Sequence, residues 1–207
     1  MTMRGGMVYP PSLRARIFRT IYSANRWHGT ETRSGPGSTL GSTRRLREAL
    51  PDLIADLGAT SVLDAACGAS FWMPDLPGYI GVDIVPDAVT IVRHAFPDRR
   101  YEVADICTDV LPRCDAVIAR DVLAHLATAD ALAALANIRV TGARWLLATT
   151  FVGGDNTVDT KTGGYHEIDL AVEPFALGTP EHMIADGYWE DRMVYPTKQM
   201  GVWPLVS

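Results

Sequence analysis

The chain has 207 residues, 47% of them hydrophobic and 21% charged, with a formal net charge of −5. That suits one globular domain, residues 1–207, with enough chain for a three-layer core. No run approaches the roughly eighteen apolar residues of a membrane span, and the N-terminus has arginines but no apolar core of a secretory signal. Cys67, Cys107 and Cys114 are odd in number and lack zinc spacing, and H-E-x-x-H and C-x-x-C are absent, so the expectation is reduced thiols, a cytoplasmic protein and no metal.

Charge is unevenly spread. Residues 1–50 carry nine arginines (4, 14, 16, 19, 26, 33, 44, 45 and 47) against Glu31 and Glu48, a net of +7 that leaves −12 for the rest. Such asymmetry fits a nucleic-acid arm, an anionic substrate steered to the N-terminus, or two amphipathic helices with solvated basic faces. The last is the preferred reading.

In chain order, Leu13, Ile17, Phe18, Ile21 and Tyr22 fall at helical spacing, so a helix is predicted over 12–24 with Ser12 as N-cap. Residues 27–42 are Gly-, Ser- and Thr-rich and read as a loop long enough to suggest function. A second helix is predicted over 43–57, with Leu46, Leu50, Leu53 and Ile54 inward and Pro51 as a kink or break. Strands near 61–64, 79–83, 101–104, 116–119 and 145–151 then alternate with helices at 86–95, 121–126 and 128–138. The alternation predicts a parallel sheet with helices on both faces. Residues 152–180 read as loop, and pieces near 182–185 and 199–206 as a closing hairpin antiparallel to the rest.

Three of these strands end on an acid. V-L-D ends at Asp64 and runs into A-A-C-G-A-S; Y-I-G-V-D ends at Asp83; Y-E-V-A-D ends at Asp105. A nucleotide-like cofactor docks where such strands stop. A pyrophosphate needs the bare amides of G-x-G-x-x-G, but this turn has one glycine, Gly68. Carboxylates at strand ends suit a ligand without phosphate, carrying an ammonium, a sulfonium and a ribose diol. S-adenosylmethionine is such a ligand, and Asp83 suits its diol. Cys67, in the turn, reads as a small apolar filler.

With these pieces in order, the chain resembles the class I S-adenosylmethionine-dependent methyltransferases. The resemblance rests on V-L-D-A-A-C-G-A (62–69), Y-I-G-V-D-I (79–84), A-D-I (104–106) and C-D-A-V-I-A-R-D-V-L-A-H-L (114–126). It is similar to a bacterial subgroup of that family through Ile21, Tyr22, Asn25, Trp27, Glu31, Ser34, Gly35, Gly37 and Ser38, and through T-T-F at 149–151 and Glu173 to Phe175. Ala69 replaces the subgroup's usual aspartate, and His166-Glu167-Ile168-Asp169 replaces a more usual Arg-Pro-Leu-Asn, a departure that suggests a different acceptor.

The resemblance implies an α/β fold: a Rossmann-like seven-stranded sheet with its last strand antiparallel and helices on both faces. It implies a turn from Asp64 through Ala65 to Gly68 beneath the methionine part, with Asp64 toward the ammonium and Trp72 on the same side. It implies Asp83 on the ribose, Ile84 on the adenine face, Asp105 and Ile106 at the adenine edge, and Arg120 toward the cofactor carboxylate. The expected reaction is methyl transfer to O or N of a small polar metabolite or sugar-like acceptor. Transfer to a hydroxyl or ammonium requires loss of a proton, and His125 is the first candidate base, with Glu31 and His166 further catalytic candidates. Tyr22, Trp27, His28, Asp121 and Glu167 are candidates for the acceptor side; His125 reads equally as a packing residue, and Asp121 equally as an N-cap. The aromatic tail (Tyr188, Trp189, Tyr195, Trp203) reads as core and rim. An RNA- or protein-modifying methyltransferase and a non-catalytic adenosylmethionine-binding protein stay open as alternatives. Nucleic acid and membrane are not expected partners, and oligomeric state is open, a homodimer included.

Overall fold

The alternating apolar segments form a sheet buried on both sides. The computed structural model describes residues 8–189 and 192–205; Arg4 and Val206 lie outside them. Strands β1 (Val62–Ala65), β2 (Ile80–Asp83), β3 (Arg100–Val103), β4 (Ala116–Ala119) and β5 (Trp145–Phe151) pair in parallel in the order 3-2-1-4-5. Near the C-terminus come β6 (His182–Ala185), β7 (Tyr188–Trp189), β8 (Arg192–Met193) and β9 (Lys198–Pro204). β9 inserts antiparallel between β5 and β6, completing a seven-stranded sheet in the order 3-2-1-4-5-9-6, while β7 and β8 form a separate small hairpin. The expected closing hairpin is present, with one difference. β6 is antiparallel to β9 and so runs the same way as β5; β9 alone is reversed.

Side chains alternate across this sheet with the period of two that a strand imposes. Leu63, Val117 and Leu146 enter one apolar cluster, joined by Phe18 and Ile21 of helix α1 (Pro11–Ser23) and by Ala131, Leu135 and Ile138 of α4 (Thr128–Arg139). Val62, Ile118 and Leu147 enter the other, with Leu46, Leu50 and Ile54 of α2 (Arg44–Asp56) and Val89 and Val92 of α3 (Pro86–Ala95). Pro51 neither breaks nor ends α2. It sits on the exposed side while Leu46, Leu50 and Ile54 are at most 1% exposed, and that buried stripe outweighs the one hydrogen bond a proline forfeits.

The segment expected as a helix over 121–126 is a single 3-10 turn, Leu123–His125. Ser12 does not cap α1: Pro10 occupies the cap position without a side-chain bond, and Pro11 opens the helix with the φ a first turn needs. Gly81 in β2 is demanded by packing. A Cβ there would come within 2.6 Å of the Tyr101 ring and 3.0 Å of the Cys67 sulfur.

Candidate cofactor and acceptor site

All five parallel strands end at one edge, and the strand order reverses between β1 and β4, where α/β sheets open a crevice. Asp64 and Asp83 stand within the ends of β1 and β2, and Asp105 follows β3. Each is buried. The turn after β1 takes Ala66 and Gly68 into the left-handed region (φ 68° and 53°) and is tied back by the Cys67 amide, which donates to the Val82 carbonyl at 2.8 Å.

Asp83 organises two turns at once. Its Oδ2 accepts from the Gly68 amide at 2.9 Å and its Oδ1 from the Val85 amide at 2.8 Å. Burial pushes its pKa up, and those two amides pull it back. Asp64 has a different setting. The Tyr79 hydroxyl donates to it at 2.7 Å and itself pairs with the Ser70 hydroxyl at 2.7 Å. Burial drives the Asp64 carboxyl up to about 7, against the lowering effect of Tyr79. The Cys67 thiol is raised well above its ordinary value, also by burial, which fits an inert filler.

The three acids line one cavity of about 300 Å³. Ile84, Ala104 and Ile106 make one apolar end of it. There Asp105 is engaged by Arg14 of α1, whose Nε lies 2.8 Å from Oδ2, while the Cys107 amide donates to Oδ1 at 3.0 Å. Arg14 also meets Asp130 of α4 at 3.0 Å and the Tyr9 carbonyl, and Asp130 accepts from the Thr162 hydroxyl at 2.6 Å.

On the opposite side of the crevice lies a four-charge cluster. Arg120 grips Asp186 with Nε and Nη2 at 3.1 and 2.9 Å, approaches Asp121 at 3.4 Å, and lies over the Trp72 ring at 5.1 Å. Lys198 joins Asp121 at 2.8 Å to Asp186 at 3.4 Å. Burial would raise the Asp121 carboxyl, but Lys198 and Arg120 hold it well below the usual carboxylate range. Beside this cluster, the His125 Nδ1–H donates to the Gly164 carbonyl at 2.6 Å. That leaves Nε2, which has no protein partner among the described residues, as the lone-pair nitrogen of a neutral ring. Burial lowers the His125 pKa, an effect only partly offset by Gly164 and Asp121, and so favours the neutral ring.

Residues 63–141, from β1 through α4, match the family model of a methyltransferase domain. Over that stretch the chain is similar to a methyltransferase domain. Among solved structures, the magnesium protoporphyrin IX methyltransferase from Synechocystis PCC 6803 with bound S-adenosylhomocysteine superposes with a TM-score of 0.61 at 16% identity, covering 94% of this chain and 100% of that one. A TehB-like SAM-dependent methyltransferase from Corynebacterium glutamicum matches at TM-score 0.52 and 19% identity, covering 94% and 97%. The PH0226 protein from Pyrococcus horikoshii OT3 matches at 0.54 and 18%, covering 78% and 90%. No curated protein matches the chain significantly. At these identities the structures speak to the fold.

The residues expected from sequence fall in and around the matched segment. Asp64, Gly68, Trp72, Asp83, Ile84, Asp105, Ile106 and Arg120 line the cavity, together with Tyr22, Trp27, Asp121 and His125. Ala65 is buried within β1, one residue short of the lining. Arg120, expected toward a cofactor carboxylate, is committed to Asp186. One catalytic candidate, Glu31, and two acceptor-side candidates, His28 and Glu167, stand away from the cavity. Glu31 is exposed and accepts from the Leu40 amide at 2.8 Å; His28 and Glu167 are exposed. His166 is buried outside the lining, its ring nitrogens facing the Val158 and Leu126 carbonyls at 3.0 and 3.2 Å, so it fastens the 158–166 loop to the segment after β4.

Several lining residues were not anticipated: Arg14, Ser34, Tyr165, Asp186 and Lys198. Arg14 had a signal, since a charge on the same helical stripe as Phe18 and Ile21 must be buried and therefore paired. Ser34 is the hinge of the N-terminal loop over the cofactor turn: its hydroxyl accepts from the Ala69 amide at 2.9 Å, and a Cβ on Gly68 would come within 2.5 Å of it. Of the tail, Trp203 is core, donating to the Gly178 carbonyl at 2.8 Å, whereas Tyr195 reaches the cavity rim. The side chains of Tyr188 and Trp189 lie outside the described set.

Proposed function

We propose that this protein is an S-adenosylmethionine-dependent methyltransferase acting on O or N of a small-molecule acceptor. The residues fit that methyl donor. Asp64 is a buried carboxyl with a neutral hydroxyl for its closest polar partner, so a cation beside it relieves the cost of ionising it. The single-glycine turn offers no phosphate cradle, and Asp83 keeps lone pairs beyond those used by Gly68 and Val85 for a diol. Ile84 and Ile106 give an apolar slot for an adenine, with the Asp105 carboxylate at its edge.

When bound, adenosylmethionine supplies an electrophilic methyl carbon and departs as a neutral thioether. The chain's own residues then have three tasks: to hold the two reactants in line, to exclude water and to accept a proton. Trp27 and the Ser34–Ser38 loop roof the cavity, and Ser34 pins that roof to the turn after β1. His125 offers Nε2 to the acceptor, its ring oriented by the Gly164 carbonyl. A cavity of about 300 Å³ lies at the small end of ligand sites (roughly 300–1,000 Å³), which favours a small acceptor over a macromolecule.

The single observation that carries this reading is the junction, in one cavity, of three strand-end carboxylates with a histidine oriented by the Gly164 carbonyl. Calorimetric titration with adenosylmethionine and with adenosylhomocysteine tests it. Saturable binding of both is expected; absence of binding to either refutes it.

A further inference from the structure

We propose that the acceptor is a neutral, flat aromatic molecule carrying a hydroxyl group, in place of the small polar metabolite or sugar-like acceptor expected from sequence; this rests on the methyltransferase reading of the same cavity. Five rings follow one another along the acceptor side. Phe18 and Trp27 have centroids 6.3 Å apart, Trp27 and His125 5.2 Å, His125 and Tyr165 5.6 Å, and Tyr165 and Phe151 6.1 Å. All five line the cavity. Such a wall favours a partner with a π face, because ring pairs contribute beyond the area they bury.

The charged groups beside the wall argue against the alternatives. Asp121, Lys198, Asp186 and Arg120 are bonded to one another, two of each sign, so they leave no surplus charge for an ionic acceptor. A sugar needs partners for a ring of hydroxyls, and the four charged side chains beside the wall are committed to one another. In the middle of the aromatic wall His125 carries Nε2, which has no protein partner among the described residues. It matches a single acidic hydroxyl. In the step that follows, the hydroxyl oxygen bonds to the methyl carbon as the sulfur–methyl bond breaks. The bonding pair stays on sulfur, and the hydroxyl proton passes to Nε2 and from there to water.

The test uses the full chain loaded with adenosylhomocysteine. Saturation-transfer NMR is recorded with 2-naphthol and catechol, and with glucosamine and an amino-deoxy sugar as the polar arm. The same compounds are then offered with adenosylmethionine, and methylated product is read by mass spectrometry. The expected result is transfer to the ring protons of the phenols and not to the sugars, with kcat/KM at least about tenfold higher for the phenols. Tyr165→Ala, at a side chain half open to solvent, should weaken phenol binding several-fold and leave adenosylhomocysteine affinity unchanged. Binding of adenosylhomocysteine without any phenol signal, or preferred methylation of a sugar, overturns the aromatic acceptor and leaves the methyltransferase reading standing. Failure to bind adenosylhomocysteine at all removes both.

Discussion

The Arg14 guanidinium meets the Asp105 carboxylate at 2.8 Å, with side chains 1% and 6% exposed. An N-terminal helix is thereby fastened to the strand end at which an adenine would sit, and the same guanidinium continues to Asp130 of α4. One buried cation thus sets the position of three elements around the cavity. Breaking such a pair leaves an uncompensated charge, which costs more than the pair itself contributes.

Arg14→Met strands Asp105 and Asp130 without a counter-charge. The expected loss is about 3–5 kcal/mol of unfolding free energy, read by urea titration at neutral pH. A change under about 0.5 kcal/mol would show that solvent reaches the site and that the pair is not structural.

Asp83→Ala removes the acceptor of the Gly68 and Val85 amides as well as the proposed diol partner. Adenosylmethionine affinity should fall at least about tenfold, or ~1.4 kcal/mol, by calorimetry. Unchanged affinity would take Asp83 away from the ribose.

Cofactor affinity should depend on pH through Asp64. Its carboxyl titrates at about 7 in the free protein, and a bound ammonium favours the ionised form. Affinity should therefore rise with pH, by up to about tenfold between pH ~6 and ~8, with a proton released on binding. Asp64→Asn should flatten the profile. For folding the sign is opposite. A raised carboxyl pKa means that the folded chain holds the proton longer, so this group's contribution to stability declines as pH rises from about 4 through 7.

The base role of His125 predicts an acid limb in kcat/KM below the ordinary imidazole range of about 6.5, because burial keeps the ring neutral to lower pH. His125→Ala should lower turnover by about a hundredfold or more while changing cofactor affinity little. Wild-type turnover would leave His125 as a wall residue only.

Lys198→Met leaves Arg120 facing two carboxylates, Asp121 and Asp186. The freed negative charge beside His125 favours its protonated form, so the acid limb should move upward in pH. An unmoved limb would show that Lys198 does not act on the ring.

Much of the sheet was legible because its signal is local. Val62-Leu63, Val117-Ile118 and Leu146-Leu147 are adjacent pairs that face opposite cores, which is how a strand covered on both sides must read. The strand-end acids were legible for the same reason: the residue after an apolar run marks the edge. The charge cluster was not. Asp186 reaches Arg120 across 66 residues of chain, and nothing in the local pattern around either announces the other. Glu31, His28 and Glu167 misled in the opposite sense. Their residue types suit an acceptor site, but loop backbone decides direction, and the Leu40 amide claims Glu31 while the other two face solvent. His166 has the right chemistry in a place where its ring nitrogens face two backbone carbonyls away from the cavity.

The reversal of β9 has a consequence for how the molecule is made. Running against β5, it begins where the parallel strands finish, so Lys198 stands opposite Phe151 at the ligand edge. A ribosome paused after β5 would hold a nascent chain that already has Arg120 and Asp121 but neither Asp186 nor Lys198. Translation delivers the partners of Arg120 and Asp121 last, so the charge cluster beside His125 closes only when the final strand slots between its two neighbours.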